Sequence, residues 1–122
     1  MKKRVFAIVM LFLFLNFMQK VCASEVNQAK NLFLYLYTPQ CGYCTKFNAN
    51  FQKLAQAYGE KYNFVKVDAT TQSGKSLMRN YRAFYVPFVL ISDTKKSKSI
   101  QIAPDCLLSY ACVEGALNVF TH

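Results

Sequence analysis

From Asn31 to Tyr37 the chain reads Asn-Leu-Phe-Leu-Tyr-Leu-Tyr, nearly continuous apolar and aromatic residues without alternation. That pattern predicts a central strand covered on both faces. Pro39 and Gln40 interrupt it. Between Tyr43 and Tyr58 the apolar positions Phe47, Phe51, Leu54, Ala55 and Tyr58 recur at three and four, the period of an amphipathic helix, with Gly59 as terminator. Tyr62 to Val67 predicts a second strand ending at Asp68. A shorter helix follows from Thr71 or Gln72 to Tyr81, with Leu77, Met78 and Tyr81 on one side. Phe88 to Ile91 is a third strand, Asp93 to Lys98 a polar turn, and Ser99 to Ala103 alternates like the edge strand of a hairpin. The last helix runs from about Ser109 to Phe120, with Val113, Leu117 and Phe120 as its inward stripe.

The order is therefore β-α-β-α-β-β-α, an α/β class. A helical crossover between the first two strands makes them parallel and right-handed, and the hairpin makes the last two antiparallel. Both conditions are met by a four-stranded mixed sheet with strand 32–37 in the middle and helices on both faces. In such sheets the chemistry gathers at the C-terminal end of the central strand. Cys41-Gly42-Tyr43-Cys44 stands at that end.

The start of the chain reads differently. Met1-Lys2-Lys3-Arg4 is basic, Val5 to Phe17 is apolar apart from Asn16, and Val21-Cys22-Ala23 offers a cleavage site. Residues 1–23 are thus expected to be a signal peptide cleaved near Ala23, and residues 24–122 one domain that is periplasmic or secreted. An uncleaved N-terminal anchor is the competing reading. The whole chain has 15 Lys and Arg against 6 Asp and Glu, a net +9. Without Lys2, Lys3, Arg4 and Lys20 the balance is 11 to 6, a net +5. The basic residues are scattered; only Lys95, Lys96 and Lys98 cluster, in the predicted turn, so nucleic-acid binding is not expected. The one histidine, His122, sits at the C-terminus, which speaks against a Cys–His hydrolase and most metal hydrolases.

Losing Cys22 with the leader leaves four cysteines, an even number that favours disulfides in an oxidising compartment. Zinc held by the two pairs is the alternative; it wants short regular knuckles rather than a buried-looking strand before the first pair, so no metal and no cofactor are expected. Two cysteines three apart on the first helical turn can close a small reversible disulfide. The outer one, Cys41, gains thiolate character from the helix N-terminus. Cys106 and Cys112 cannot pair within one regular helix, where six residues rise about 9 Å. They can if the helix begins between them with Ser109 as N-cap, and a structural disulfide is the favoured reading. A second, electron-relaying pair is the alternative.

The strand–CxxC–helix unit, Val86-Pro87 just before a later strand, and the order of elements resemble the thioredoxin family over 31–120, in a trimmed form lacking the first β-α unit. The pair Gly42-Tyr43 is similar to that of bacterial periplasmic disulfide isomerases of the DsbC type. The resemblance implies that Cys41 attacks and Cys44 resolves, and that Pro87 is cis and lies against the disulfide. It also implies that Val86 pairs with a substrate backbone. Tyr43, Gly42 and Tyr85, with Tyr37 and Phe84, would complete the substrate-binding surface. The family's buried carboxylate, six residues before the first cysteine, is replaced by Tyr35, and its tryptophan beside that cysteine by Gln40. Proton handling at Cys44 then falls to water, the Tyr35 hydroxyl, Lys46 or another group. The implied partners are proteins bearing disulfides or thiols and a further redox protein. Such isomerases dimerise through a separate N-terminal domain that Ser24–Lys30 cannot supply, so a monomer is expected, acting as a reductase or dedicated maturation factor. The reading from another class is a non-catalytic binding or assembly protein on the same scaffold.

Overall fold

The nearly unbroken apolar run from Asn31 to Tyr37 forms strand β1, and everything else in the domain is placed relative to it. The computed structural model describes residues 2–23, 30–95 and 97–121; the expectations for Ser24–Ala29, Lys96 and His122 lie outside the described residues. The segment read as a leader is helical, α1 (Lys2–Ala23), with side chains 3–13 exposed. Among the described residues no helix is long and apolar enough to cross a membrane. After β1 come α2 (Gly42–Tyr58), β2 (Tyr62–Asp68), α3 (Gln72–Asn80), β3 (Phe88–Ser92), β4 (Ser99–Ile102), α4 (Pro104–Leu107) and α5 (Tyr110–Phe120).

The sheet order is β2-β1-β3-β4. β2 runs parallel to β1, from Asn31 opposite Tyr62 to Tyr37 opposite Asp68. β3 is antiparallel to β1, with Leu36 opposite Phe88, and β4 is antiparallel to β3. This is the expected mixed sheet with the 31–37 strand inside.

Alternate side chains of β1 leave on opposite faces, and both faces are covered. Phe33 and Tyr35 join Val89, Ile91 and Tyr62 against Phe47 and Leu54 of α2 and Val113, Leu117 and Phe120 of α5. Leu34 and Leu36 join Phe88 and Leu90 beneath Leu77, Met78 and Tyr81 of α3. The first face is aromatic: Phe33 stacks on Phe64 at 4.7 Å between ring centroids, and Tyr35 meets Phe47 edge-on at 4.8 Å. Each such buried side chain contributes about 1.5–3 kcal/mol, so removing the α2–α5 layer would strip the larger of the two cores from β1.

Pro104–Leu107 departs from the expected pattern, while Gly59 ends α2 as expected. Pro104 to Leu107, expected as loop, closes a single helical turn: proline at its start, Asp105 in its first turn, and Leu107 fully buried to hold it down. Gly59 ends α2 without a left-handed conformation, at φ −63; glycine is needed there because a Cβ would lie 2.6 Å from the Ala55 carbonyl oxygen. The left-handed turn comes instead after α3, at Arg82, φ 52. Arg82 N–H donates to Arg79 O (3.2 Å) and Ala83 N–H to Met78 O (2.8 Å), the paired bonds of a Schellman cap. An L-residue there costs about 1–2 kcal/mol that glycine would not.

Candidate functional site

The turn after β1 is closed by Cys41 N–H donating to Thr38 O at 3.2 Å, which leaves Cys41 extended (φ −78, ψ 114) at the N-cap of α2. Serine or aspartate usually caps a helix with oxygen; here the cap is sulfur. Cys44 N–H donates to Cys41 Sγ at 3.0 Å. Cys41 is half-buried and Cys44 is 1% exposed, and the two are disulfide-bonded with Cα atoms 5.1 Å apart. The half-buried cysteine caps the helix N-terminus, and its fully buried partner lies one turn in. That geometry favours a thiolate at Cys41 once the bond is reduced, since backbone N–H groups stabilise the anion.

Gly42 and Tyr43 between them are exposed, and a Cβ at Gly42 would meet nothing beyond its chain neighbours, so packing does not require glycine there. The Lys46 ammonium lies 5.8 Å from the centre of the Tyr43 ring.

Below the pair, the Tyr35 hydroxyl shares its proton between Asn48 Oδ1 (2.9 Å) and the Cys44 carbonyl oxygen (3.1 Å). Burial, with Tyr37 adding to it, drives this phenol well above its ordinary range. It is therefore neutral at any physiological pH, and its hydrogen bonds run to the Cys44 backbone and Asn48. Asn48 carried no signal in the sequence beyond its place four residues, one helical turn, after Cys44.

The Val86–Pro87 peptide bond is cis, Pro87 is buried and Val86 half-buried. They directly precede the Leu36–Phe88 pair in register, which brings them to the same end of the sheet as Thr38 and the cysteines. Tyr85 is partly open, its hydroxyl accepting from Gln101 Nε2 at 2.6 Å. Phe84 is 89% exposed; it is surface, not core.

The other expected residues lie on a different element pair. Cys106 and Cys112 are disulfide-bonded, Cα atoms 5.4 Å apart, joining α4 to α5. α5 begins between them: Ser109 Oγ accepts from Cys112 N–H at 3.2 Å. This unit is tied to the middle of α2 by Asn50 Nδ2 donating to Leu107 O at 3.2 Å. Among the described residues no group of three or more His, Cys, Asp or Glu is placed to hold a metal ion.

Set against known proteins, residues 14–106 match the family model described as Thioredoxin. No curated protein matches the chain. Among solved structures, the germline-specific thioredoxin Deadhead of Drosophila melanogaster is similar at 16% identity and TM-score 0.62, over 86% of this chain and 91% of that one. Thioredoxin f of spinach chloroplast (long form) is similar at 22% identity and TM-score 0.63, over 77% of this chain and 73% of that one. Thioredoxin f2 in its complex with ferredoxin:thioredoxin reductase follows at 22% and 0.61, over 77% and 80%. At these identities the structures speak for the fold alone; the family match spans most of the chain. With a CxxC pair at disulfide distance on that fold, the chain belongs to the thioredoxin family and is a thiol–disulfide oxidoreductase.

Proposed function

We propose that this protein is exported and exchanges disulfides with protein substrates through Cys41 and Cys44, as a reductase or a maturation factor for a few substrates rather than a general isomerase. The observation that carries the reading is the pairing of a half-buried Cys41, its sulfur capping α2, with a fully buried Cys44. In the reductive direction, the Cys41 thiolate attacks one sulfur of a substrate disulfide. The other substrate sulfur leaves as a thiolate and takes a proton from solvent. Cys44 then loses its proton and attacks Cys41 Sγ, and the second substrate thiol departs. The protein dithiol is oxidised to a disulfide, the substrate disulfide is reduced to two thiols, and an external dithiol protein resets the pair.

The substrate-facing roles of Gly42 and Tyr43 rest on their place between the two cysteines, and those of Val86, Pro87 and Tyr85 on their place at the same end of the sheet. Export is supported by the basic start and apolar run of residues 1–23, whose side chains 5–13 stand largely in solvent instead of joining the core. Gly42-Tyr43, similar to the DsbC-type pair, agrees with a periplasmic setting. The Cys106–Cys112 bond is read as a structural staple.

Neither residue within the CxxC is cationic, so a potential between about −270 and −120 mV is expected. The test is the pH dependence of Cys41 alkylation in the reduced protein, together with a Cys44→Ser variant. A midpoint below the free-thiol value of about 8.5 and a trapped mixed disulfide between Cys41 and a protein support exchange. An unreactive pair would turn the reading to a scaffold protein with an inert bond.

A further inference from the structure

Beside Thr38 and Val86, at the cysteine end of the sheet, an open cavity of about 490 Å³ runs over Met78 and Phe84, with Lys75 and Arg79 of α3 on its rim. A second hollow of about 330 Å³ shares Met78, Arg79 and Phe84 with the first and is bounded by Arg82. The groove therefore has an apolar floor and a cationic rim. Among the described residues no carboxylate pairs with Lys75, Arg79 or Arg82, and Arg79 meets Ser76 Oγ at 3.4 Å. The acid on the neighbouring turn, Asp68, has its Oδ1 engaged by the Thr70 N–H (2.8 Å) and hydroxyl (2.7 Å), which hold its carboxyl below the usual carboxylate range.

Two further observations point to a ligand for this rim. Arg82, at the left-handed cap position (φ 52), adds a third exposed cation at the edge of the second hollow. Phe84, a large aromatic ring, stands 89% exposed at the junction of the two hollows. A second copy of this chain is a poor occupant, because residues 24–122 carry a net +5 and would repel one another.

We propose that the groove docks an acidic, extended segment of the protein substrate adjoining the disulfide to be exchanged. Carboxylates of that segment face Lys75, Arg79 and Arg82, and one apolar side chain seats on Met78 and Phe84. The inference rests on the exchange reaction above and supplies its substrate class.

The experiment uses the full chain, reduced, against three peptides of equal length that carry the same disulfide and one phenylalanine, flanked by Asp and Glu, by Asn and Gln, or by Lys. Single-turnover exchange is followed by acid quench, alkylation and mass spectrometry at about 20 mM and about 0.5 M NaCl. The acidic peptide is expected to react about tenfold faster than the Lys peptide at low salt, and the ratio should fall towards one at high salt. Combined K75Q, R79Q and R82G should bring the acidic peptide down to the rate of the neutral one. Arg82→Lys alone should keep the preference, as should Lys53→Gln with Lys61→Gln outside the groove. Equal rates for the three peptides, or a preference that survives the triple substitution, would overturn the docking site. So would a lack of peptide preference combined with binding to anionic phospholipid vesicles that the triple substitution abolishes. Failure with all three peptides and also with a small aromatic disulfide would instead remove the exchange reaction itself.

Discussion

Replacing Tyr35 by phenylalanine removes one oxygen from the layer between β1 and α2 and leaves the ring in place. The hydroxyl is held by Asn48 Oδ1 at 2.9 Å and the Cys44 carbonyl at 3.1 Å. A net hydrogen bond contributes about 0.5–1.5 kcal/mol, and a buried acceptor left without a donor costs about 1–3. Here the cost is moderated on both sides. Asn48 is half-buried and water can reach it, while the Cys44 carbonyl lies within α2, where a backbone N–H one turn on can serve it. A loss of about 1–2 kcal/mol follows, or a fall in Tm of about 5–10 °C for a domain of this size.

The effect on chemistry is expected to be different in kind. The phenol's titration is pushed far above neutrality by burial, so it has no proton to accept or release between pH 6 and 9. Tyr35→Phe should therefore lower Tm in both redox states and leave the pH profile of the exchange rate where it was. Thermal unfolding by circular dichroism and single-turnover rates across that pH range measure the two halves separately. A profile displaced by about a pH unit would place Tyr35 in the proton path of Cys44 and refute the positioning argument. An unchanged Tm would refute the hydrogen-bond argument.

The remaining predictions concern the scaffold. Changing Cys106 and Cys112 together to serine opens a loop of sequence separation 6 and should cost about 2 kcal/mol in urea unfolding. It should leave the Cys41–Cys44 potential unmoved, and a large shift would make the second pair an electron relay. Gly74→Ala drives a Cβ into the Asp68 carbonyl oxygen, and 2.8 Å from Ala69 Cα, so α3 must lift from the end of β2; a loss of about 1–3 kcal/mol is expected. Buried Tyr62, donating to Leu117 O at 2.8 Å, has its pKa raised from 10.0 to about 12. The folded state then holds its proton longer than the unfolded one, so stability is full below pH 10 and is lost as pH rises towards 12. Tyr62→Phe should flatten that alkaline limb in a pH series of denaturant midpoints.

The parts of this molecule that were legible in sequence are those where one physical cause acts alone. β1 declares itself because a strand buried on both faces needs apolar residues at every position, and α2 and α5 because one buried stripe imposes a period. Ser109 could be placed as a cap because Cys106 and Cys112 pair only if a helix starts between them. What stayed hidden involves either segments too short to have a period or partners far apart in sequence. α4 has four residues, fewer than are needed to distinguish a helical turn from a loop. Asn48 becomes a partner of Tyr35, 13 residues away, only once α2 lies on β1. Arg82 conceals a left-handed turn because the residue that normally marks it is glycine. Phe84 and Tyr85 are adjacent aromatics, and nothing in their order tells that both are exposed, Phe84 almost fully.

Recognition and electron transfer draw on different charges in this fold, and ionic strength can separate them. No acid stands in the first turn of α2, and Gly42 and Tyr43 add no charge, so the Cys41 thiolate is governed by backbone N–H groups. The closest is Cys44 N–H, hydrogen-bonded to the sulfur at 3.0 Å, a distance that admits no counterion between the partners. Lys75 and Arg79 of α3, and Arg82 in the turn after it, act from an exposed rim, where ions intervene within a Debye length of about 8 Å at physiological strength. Added salt should consequently slow the encounter with an acidic substrate while the alkylation midpoint of Cys41 stays put. Were the α3 cations themselves lowering the thiol's pKa, salt would move both together, and neutralising them would make Cys41 less reactive towards even an uncharged alkylating agent.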